Sequence, residues 1–408
     1  MHIGSPALLE AIFTLKGNLA AGLPPPAKII DGIEIAPFYN NAEAACCISA
    51  DFEMGWGWRS RGPEGATALG EIERQHVPLI LSLLEEYSVP ITWATVGHLF
   101  LERCTRSASG LAHPEMPRPV SDGTWSGDWY WPDPCADVQR APGWYGPDLI
   151  QQIADSPVGH EIGTHSFSHI NFQAAYSSPD VVRAEIEACN ELMRPFGLRA
   201  RTLIFPRHQS EFSYLPLLAE LGVSVVRHRD PRVRLSYPER TASGVYKIYE
   251  SMNLRIARHY DYLDKVKIFI AKAVERRAAY ALWFHPSDPR AWFDPQLRAI
   301  LGYLTAERRQ GRLWVATMQD IAAYCDVRER LQLTCSQGEK TLTVFFTGDC
   351  RQTREVTLLV PVPSHPLSVV ATTETGDTRN LDVRNRRAGP ARVMVNAPAL
   401  TKQIEFAF

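Results

Sequence analysis

Gly159-His160-Glu161-Ile162-Gly163-Thr164-His165-Ser166-Phe167-Ser168-His169 places two histidines four residues apart just after a short apolar strand. On one helical turn such a pair faces the same way and can hold one metal ion through imidazole nitrogens. The bare spacing also fits two histidines satisfied by the core or the surface, so the residues around it must decide. Three other stretches set chemistry-bearing side chains at strand exits. Ser49-Ala50-Asp51-Phe52-Glu53 ends an apolar run in two carboxylates. One could complete a site of two histidines and one carboxylate, leaving the other as general base; helix-start or loop acids are the plainer alternative. Leu282-Trp283-Phe284-His285-Pro286 offers a histidine able to protonate a departing amine, or a structural one. Leu203-Ile204-Phe205-Pro206-Arg207 offers a fixed cation, or an ordinary surface ion pair.

Outward from these stretches, β-prone apolar runs alternate with helical patterns between about residues 40 and 325, which indicates β-α units around a parallel sheet or barrel. The strand candidates are Ala44–Ser49, Ile91–Val96, Thr202–Phe205, Val223–Val226, Tyr280–Phe284 and Leu313–Ala316. Val182, Ile186, Cys189 and Met193 recur at helical spacing behind Ser178-Pro179, with Gly197 as a stop. A second helix is predicted around Ile72–Tyr87, kinked or shortened at Pro78. Residues 103–150, rich in Pro, Gly, Asp and Trp, read as a long ordered excursion from the barrel rim. Beyond about Arg330 the pattern becomes period two, as in Thr341–Phe346 and Val356–Val360. The expected division is an extension over residues 1–39, a barrel over 40–328 and an all-β, sandwich-like domain over 329–408.

A chain of 408 residues fits a large domain with a smaller companion. Its net charge of -2 offers no broad attraction for nucleic acid. No run approaches the roughly 20 apolar residues of a membrane span. The first residues lack the basic region and sustained apolar run of an export signal, so a cytoplasmic location is expected. Eight scattered cysteines, with no Cys-x-x-Cys pair, read as buried free thiols; structural zinc on cysteine is not expected, and metal chemistry falls to other ligands.

The Gly159–His169 stretch resembles the second motif of the polysaccharide deacetylase superfamily, also called the NodB homology domain or carbohydrate esterase family four. Asp51-Phe52-Glu53 with Met54-Gly55-Trp56-Gly57 looks like a variant first motif, Phe205-Pro206-Arg207 stands in the place of the third, and Trp283-Phe284-His285-Pro286 resembles the fifth. The resemblance covers about residues 40 to 325 and implies a distorted (β/α)7-type barrel holding one divalent metal, zinc above all, with cobalt or nickel as alternatives. By position it implies Glu53, His165 and His169 as metal ligands, Asp51 as base, His285 as acid and Arg207 as the partner orienting Asp51. The spaced acids leave Asp51 and Glu53 open to exchange, and the partner of His285 stays open between Asp261, Asp264 and other acids. A backbone N–H near His208 could hold an oxyanion, and Trp56, Trp58, Trp129 and Trp131 could stack on a sugar or simply pack beneath the long loop. The implied activity is removal of an acetyl or formyl group from the nitrogen of an amino sugar or related amine. A soluble precursor of surface polysaccharide or glycan, nucleotide-linked, lipid-linked or free, is the expected substrate. Alternatives are hydrolysis of a cyclic amide or ureide, or a carbohydrate-binding relative without catalysis. The β-rich tail is expected to be a packing lid on the barrel, with glycan binding or a homo-oligomer contact as alternatives.

Overall fold

Ala44–Phe52 is buried along all 9 of its residues, as a parallel strand covered on both faces must be. In the computed structural model, which describes residues 19–20, 22–125, 127–254, 262–288, 290–348, 352–385 and 392–408, this strand pairs in parallel with Ala279–Phe284 on one side. On the other it pairs first with Leu313–Val315 and then with Thr92–Thr95. The sheet continues through Glu161–Thr164, Thr202–Ile204, Val225–His228 and Tyr246–Tyr249. Met252–Asn253, just beyond that last strand, pairs with Ala279–Phe284 at the opposite edge. The chain between residues 246 and 253 therefore carries the sheet round on itself. The architecture is α/β, a curled parallel sheet of the kind expected, and its strand C-termini share one rim, where such folds place their chemistry.

The helix Pro179–Met193 starts where its sequence predicts, with Ser178 Oγ accepting from Val181 N at 3.4 Å. A short 3-10 turn extends it to Gly197, whose φ of 69° ends it. The other expected helix is longer than its pattern suggested, running over 26 residues, Gly62–Tyr87, with Pro78 inside. Pro78 is exposed, so water can hydrate the backbone carbonyl its missing N–H leaves unbonded. No described helix is long and apolar enough to cross a membrane.

The C-terminal residues form two facing antiparallel sheets. One holds Gln332–Gln337, Thr341–Thr347, Thr401–Ala407, Ser368–Thr373 and Thr378–Asn380; the other holds Val356–Pro361, Arg392–Ala397 and Arg384–Asn385. The second sheet is completed from the far end of the chain, because Ile33–Ile35 pairs with Val356–Pro361 and Ile29–Ile30 with Ile33–Ile35. Part of the stretch read as an N-terminal extension is thus a hairpin of the sandwich, with Ile33 and Ile35 in its core. The hairpin is too short for period-two patterning to reveal its partner. Met318–Arg330 joins the two units: Tyr324 and Val327 enter the sandwich core, and Tyr324 Oη donates to Ala36 O at 2.9 Å. Ile35→Ala should cost about 2–5 kcal/mol, the range for large-to-small core changes. A urea midpoint unchanged from wild type would show that the hairpin is dispensable.

Candidate active site

Asp51 and Phe52 end the central strand, and Glu53 follows in a turn where Met54 has a φ of 48°. That turn is held from the helix Gly62–Tyr87: Glu73 Oε2 accepts from Glu53 N at 3.1 Å and Met54 N at 2.7 Å. Gly57 leaves room for the Glu53 carboxylate, since a Cβ there would collide with Oε2. Glu53 Oε1 lies 2.9 Å from His165 Nε2, 3.2 Å from His169 Nε2 and 3.8 Å from His285 Nε2. One ligand atom each from Glu53, His165 and His169 fall within 4.8 Å of one another, as do those of Asp51, Glu53 and His285. Five side chains separated by up to 234 positions in the chain therefore meet at one rim.

The two histidines do not share a helical turn. Residues 165–169 form a loop with left-handed backbone at Ser166 (φ 62°) and His169 (φ 57°); non-glycine residues seldom adopt it without support from their surroundings. Support comes from Glu185, which accepts from Ser168 N at 2.8 Å and Ser168 Oγ at 2.5 Å. Trp129 Nε1 donates to Ser168 Oγ at 2.8 Å, and Arg59 Nη2 to Ser168 O at 2.7 Å. Arg59 is buried, and burial brings its guanidinium down to about 9.

His165 Nδ1–H donates to Ile204 O at 2.7 Å. A neutral His165 then presents the Nε2 lone pair to a Glu53 oxygen, two acceptors in contact inside the protein. A cation between them resolves the conflict, and a backbone carbonyl on the far nitrogen is the usual outer partner of a metal-bound imidazole. Burial drives the His169 imidazolium down to about 4 against the pull of Glu53, so the ligating, neutral form prevails near neutrality. Burial alone would raise Glu53, but positive charge and donated hydrogen bonds at the imidazole positions hold its carboxyl well below the usual range, a role that falls to a bound cation when the imidazoles are neutral. Two imidazoles and a carboxylate fit zinc, and also cobalt or nickel.

Arg227, not Arg207, grips Asp51. Its Nη1 and Nη2 donate to Oδ1 at 2.7 Å and Oδ2 at 2.6 Å, with Nη1 also 2.9 Å from Ser49 Oγ. Burial would raise Asp51, yet this guanidinium outweighs it and the carboxyl sits below its ordinary value. Arg207 turns away to Asp122 Oδ2 at 2.7 Å: the strand has already ended at Ile204, and Arg207 is itself left-handed (φ 54°) in the 3-10 turn that follows. Arg227 lies within Val225–His228, one residue past the apolar run read as a strand. A charge continuing a buried strand must be paired inside, and that was the available signal. Glu73 gave another, an acid on the helix stripe of Gly70, Val77, Ile80 and Leu84.

Other expectations are corrected. The His208 N–H is committed to Phe205 O at 3.1 Å and cannot hold an oxyanion; its Nδ1 lies 2.9 Å from Glu250 Oε2. Trp56 is fully buried, packed on His98 and Trp144, so it stacks on no substrate. Trp129 is buried too, whereas Trp131 is exposed and sits under Arg106. Trp58 stays near the reaction centre, its ring 5.3 Å from His285. Asp264 is on the helix Tyr262–Arg276, 3.7 Å from Lys267, and Asp261 lies outside the described residues. His285 is held through its neighbour instead, as His76 Nδ1–H donates to Pro286 O at 2.7 Å.

Residues 60–226 match the family model "Polysaccharide deacetylase". The fold is similar to that of a protein assigned as a polysaccharide deacetylase from Mycobacterium smegmatis, 17% identical, with 79% of this chain and 99% of that one covered at a TM-score of 0.52. A corresponding assignment from Pseudomonas aeruginosa PAO1 is 14% identical, covering 70% and 92% at 0.48. An allantoinase is 15% identical, covering 70% and 92% at 0.47. No curated protein matches the sequence.

Gly57 has a φ of -72°, which alanine tolerates. Gly57→Ala should therefore leave the melting temperature within a few degrees while displacing the Glu53 carboxylate, and metal bound per chain should fall severalfold; full retention would show that Glu53 is not a ligand.

Proposed function

We propose that the protein is a metal-dependent N-deacylase, releasing acetate or formate from the nitrogen of an amino sugar or related amine. The observation carrying this reading is the convergence of Glu53, His165 and His169 on one point, with Asp51 and His285 on its flank. Glu53, His165 and His169 would hold the ion, which when bound supplies Lewis-acid polarisation of an acyl carbonyl and an acidified water.

The contacts divide the two acids. Glu53 faces imidazoles and serves as ligand, whereas Asp51 faces a guanidinium that fixes both its oxygens, as suits a base kept ionised and oriented. Asp51 takes the proton of the attacking water. His285, part-exposed at the rim, gives a proton to the departing nitrogen. Trp58 packs beside His285, its ring 5.3 Å away, and can offer an apolar face next to the departing group. A groove of about 830 Å³, lined by Trp58, Arg61, Leu69, Ile72, Ser287 and Asp288, opens there and suits an amphipathic ring such as a sugar.

Incubating zinc-loaded protein with N-acetylated and N-formylated amino sugars should release acetate or formate and one primary amine per turnover. Cleavage of cyclic ureides alone would move the assignment to ring-opening amide hydrolysis, and no release from any of them would remove it. His165→Ala should lose both bound metal and turnover while keeping its far-ultraviolet circular dichroism.

Arg227→Met tests the base. With its partner gone, burial dominates at Asp51 and raises its pKa, so the acidic limb of the kcat/KM profile should move to higher pH. Removing one member of a buried pair should also cost about 3–5 kcal/mol of stability. An unmoved acidic limb would assign the base elsewhere.

A further inference from the structure

A second group of metal-type donors lies outside the site just described. His98 sits in the 3-10 turn Gly97–Phe100, after the strand Thr92–Thr95, while Cys104, His113 and Asp133 belong to the rim excursion. All four are buried, and one ligand atom from each lies within 4.8 Å of the others. His98 Nε2 and His113 Nε2 stand 3.0 Å and 2.9 Å from Asp133 Oδ2. Cys104 Sγ stands 3.2 Å from the same oxygen and 3.5 Å from His113 Nε2. We propose that His98, Cys104, His113 and Asp133 form a second, structural zinc site that pins the rim excursion to the barrel. The inference does not depend on the deacylase reading.

Four-coordinate zinc, with nitrogen and oxygen ligands near 2.0 Å and sulfur near 2.3 Å, sets neighbouring donors roughly 3.3–3.6 Å apart. The observed separations need to open by only a few tenths of an ångström to admit the ion. Two imidazoles, a thiolate and a carboxylate are among the ligand types that structural zinc takes, and four protein ligands leave no open position for water.

Without an ion, the same atoms must form a hydrogen-bond network centred on Asp133. Its Oδ2 would accept from His98, His113 and Cys104, while Oδ1 takes the Tyr145 hydroxyl at 3.0 Å and Cys135 N–H at 2.8 Å. A carboxylate has about four lone-pair sites, fewer than these five donors. Zinc replaces three of them by one bond, and Cys104 binds as thiolate with release of its proton to solvent. The spacing His98, Cys104, His113, Asp133 matches no short zinc motif, so the absence of Cys-x-x-Cys carries no information about this group.

The position gives the ion its work. His98 N–H donates to Phe167 O at 3.0 Å, and Gly97 N–H to Ser166 O at 2.8 Å, so the site lies against the loop carrying His165 and His169. The His98 ring also packs 4.4 Å from Trp56, in the turn after Glu53.

The test uses the full chain, equilibrated with Co2+ and desalted. Wild type should show a near-ultraviolet thiolate-to-cobalt charge-transfer band, kept in the His165→Ala/His169→Ala double variant and lost in Cys104→Ser. Metal analysis after Zn2+ equilibration should give two ions per wild-type chain and one in either variant. A wild type holding one ion that still shows the thiolate band would uphold this site and fail the other. No thiolate band in wild type overturns the proposal, whatever the variants do. So does a count of six rather than eight thiols in unfolded, chelated protein, because Cys104 and Cys135, whose sulfurs lie 3.2 Å apart, would then be a disulfide.

Discussion

Glu53 Oε1 is a carboxylate oxygen within 4 Å of three imidazole nitrogens, in a residue that is 4% exposed. A buried charge of this kind is tolerated only when its partners are held in place, and much of the surrounding structure does that holding. Glu73 fixes the backbone of Glu53, the missing Cβ of Gly57 makes room for the carboxylate, and the Ile204 carbonyl sets the tautomer of His165. The left-handed residues Met54, Ser166 and His169 lie around this point. Each costs of order 1 kcal/mol, and the cost is sustained because Glu185, Arg59 and Trp129 leave the loop no alternative set of bonds.

Three carboxylates crowd this rim, and they divide charge between them. Asp51 is held low by Arg227 and Glu53 by imidazoles. Glu73, buried and beside the Glu53 charge, is pushed well above the ordinary carboxyl range. Its Oε2 accepts from the backbone N–H groups of Glu53 and Met54 and so holds the turn that aims the Glu53 carboxylate. Arg227 sits over the Trp283 ring, 4.8 Å from its centre, so the strand ending in His285 also orients the cation that orients Asp51.

What could be read from sequence divides along a physical line. The histidine pair, the two acids and His285 were visible because each ends an apolar strand, and strand ends of a parallel barrel converge whatever the intervening chain does. Arg207 was chosen over Arg227 because a strand exit is easier to recognise than a charge continuing an apolar strand; the second is the more informative, since interior charges need interior partners. The hairpin Ile29–Ile35 was read as an extension because strand pairing across more than 300 positions leaves no local trace. Trp56 and Trp58 look alike in sequence, and only the turn at Met54 sends one inward and leaves the other at the rim.

The excursion over residues 103–150 is irregular in backbone, and side chains hold its described residues in place. Nearly all of it lacks helix or strand, so its backbone groups need other partners. Arg118 supplies several, binding the carbonyls of Ala112, His113 and Met116 together with Asp128. Arg106 bonds the carbonyls of Trp131 and Asp133. Charged side chains thus do for this segment what ladders do for the sheet, and they place Trp129 and Tyr130 against Ser168 and Glu185. The loop bearing His165 and His169 is consequently clamped between the barrel below and the excursion above. A change that loosens the excursion therefore reaches the rim through Ser168, and through the Gly97 and His98 bonds to the same loop, without any contact to the reacting groups.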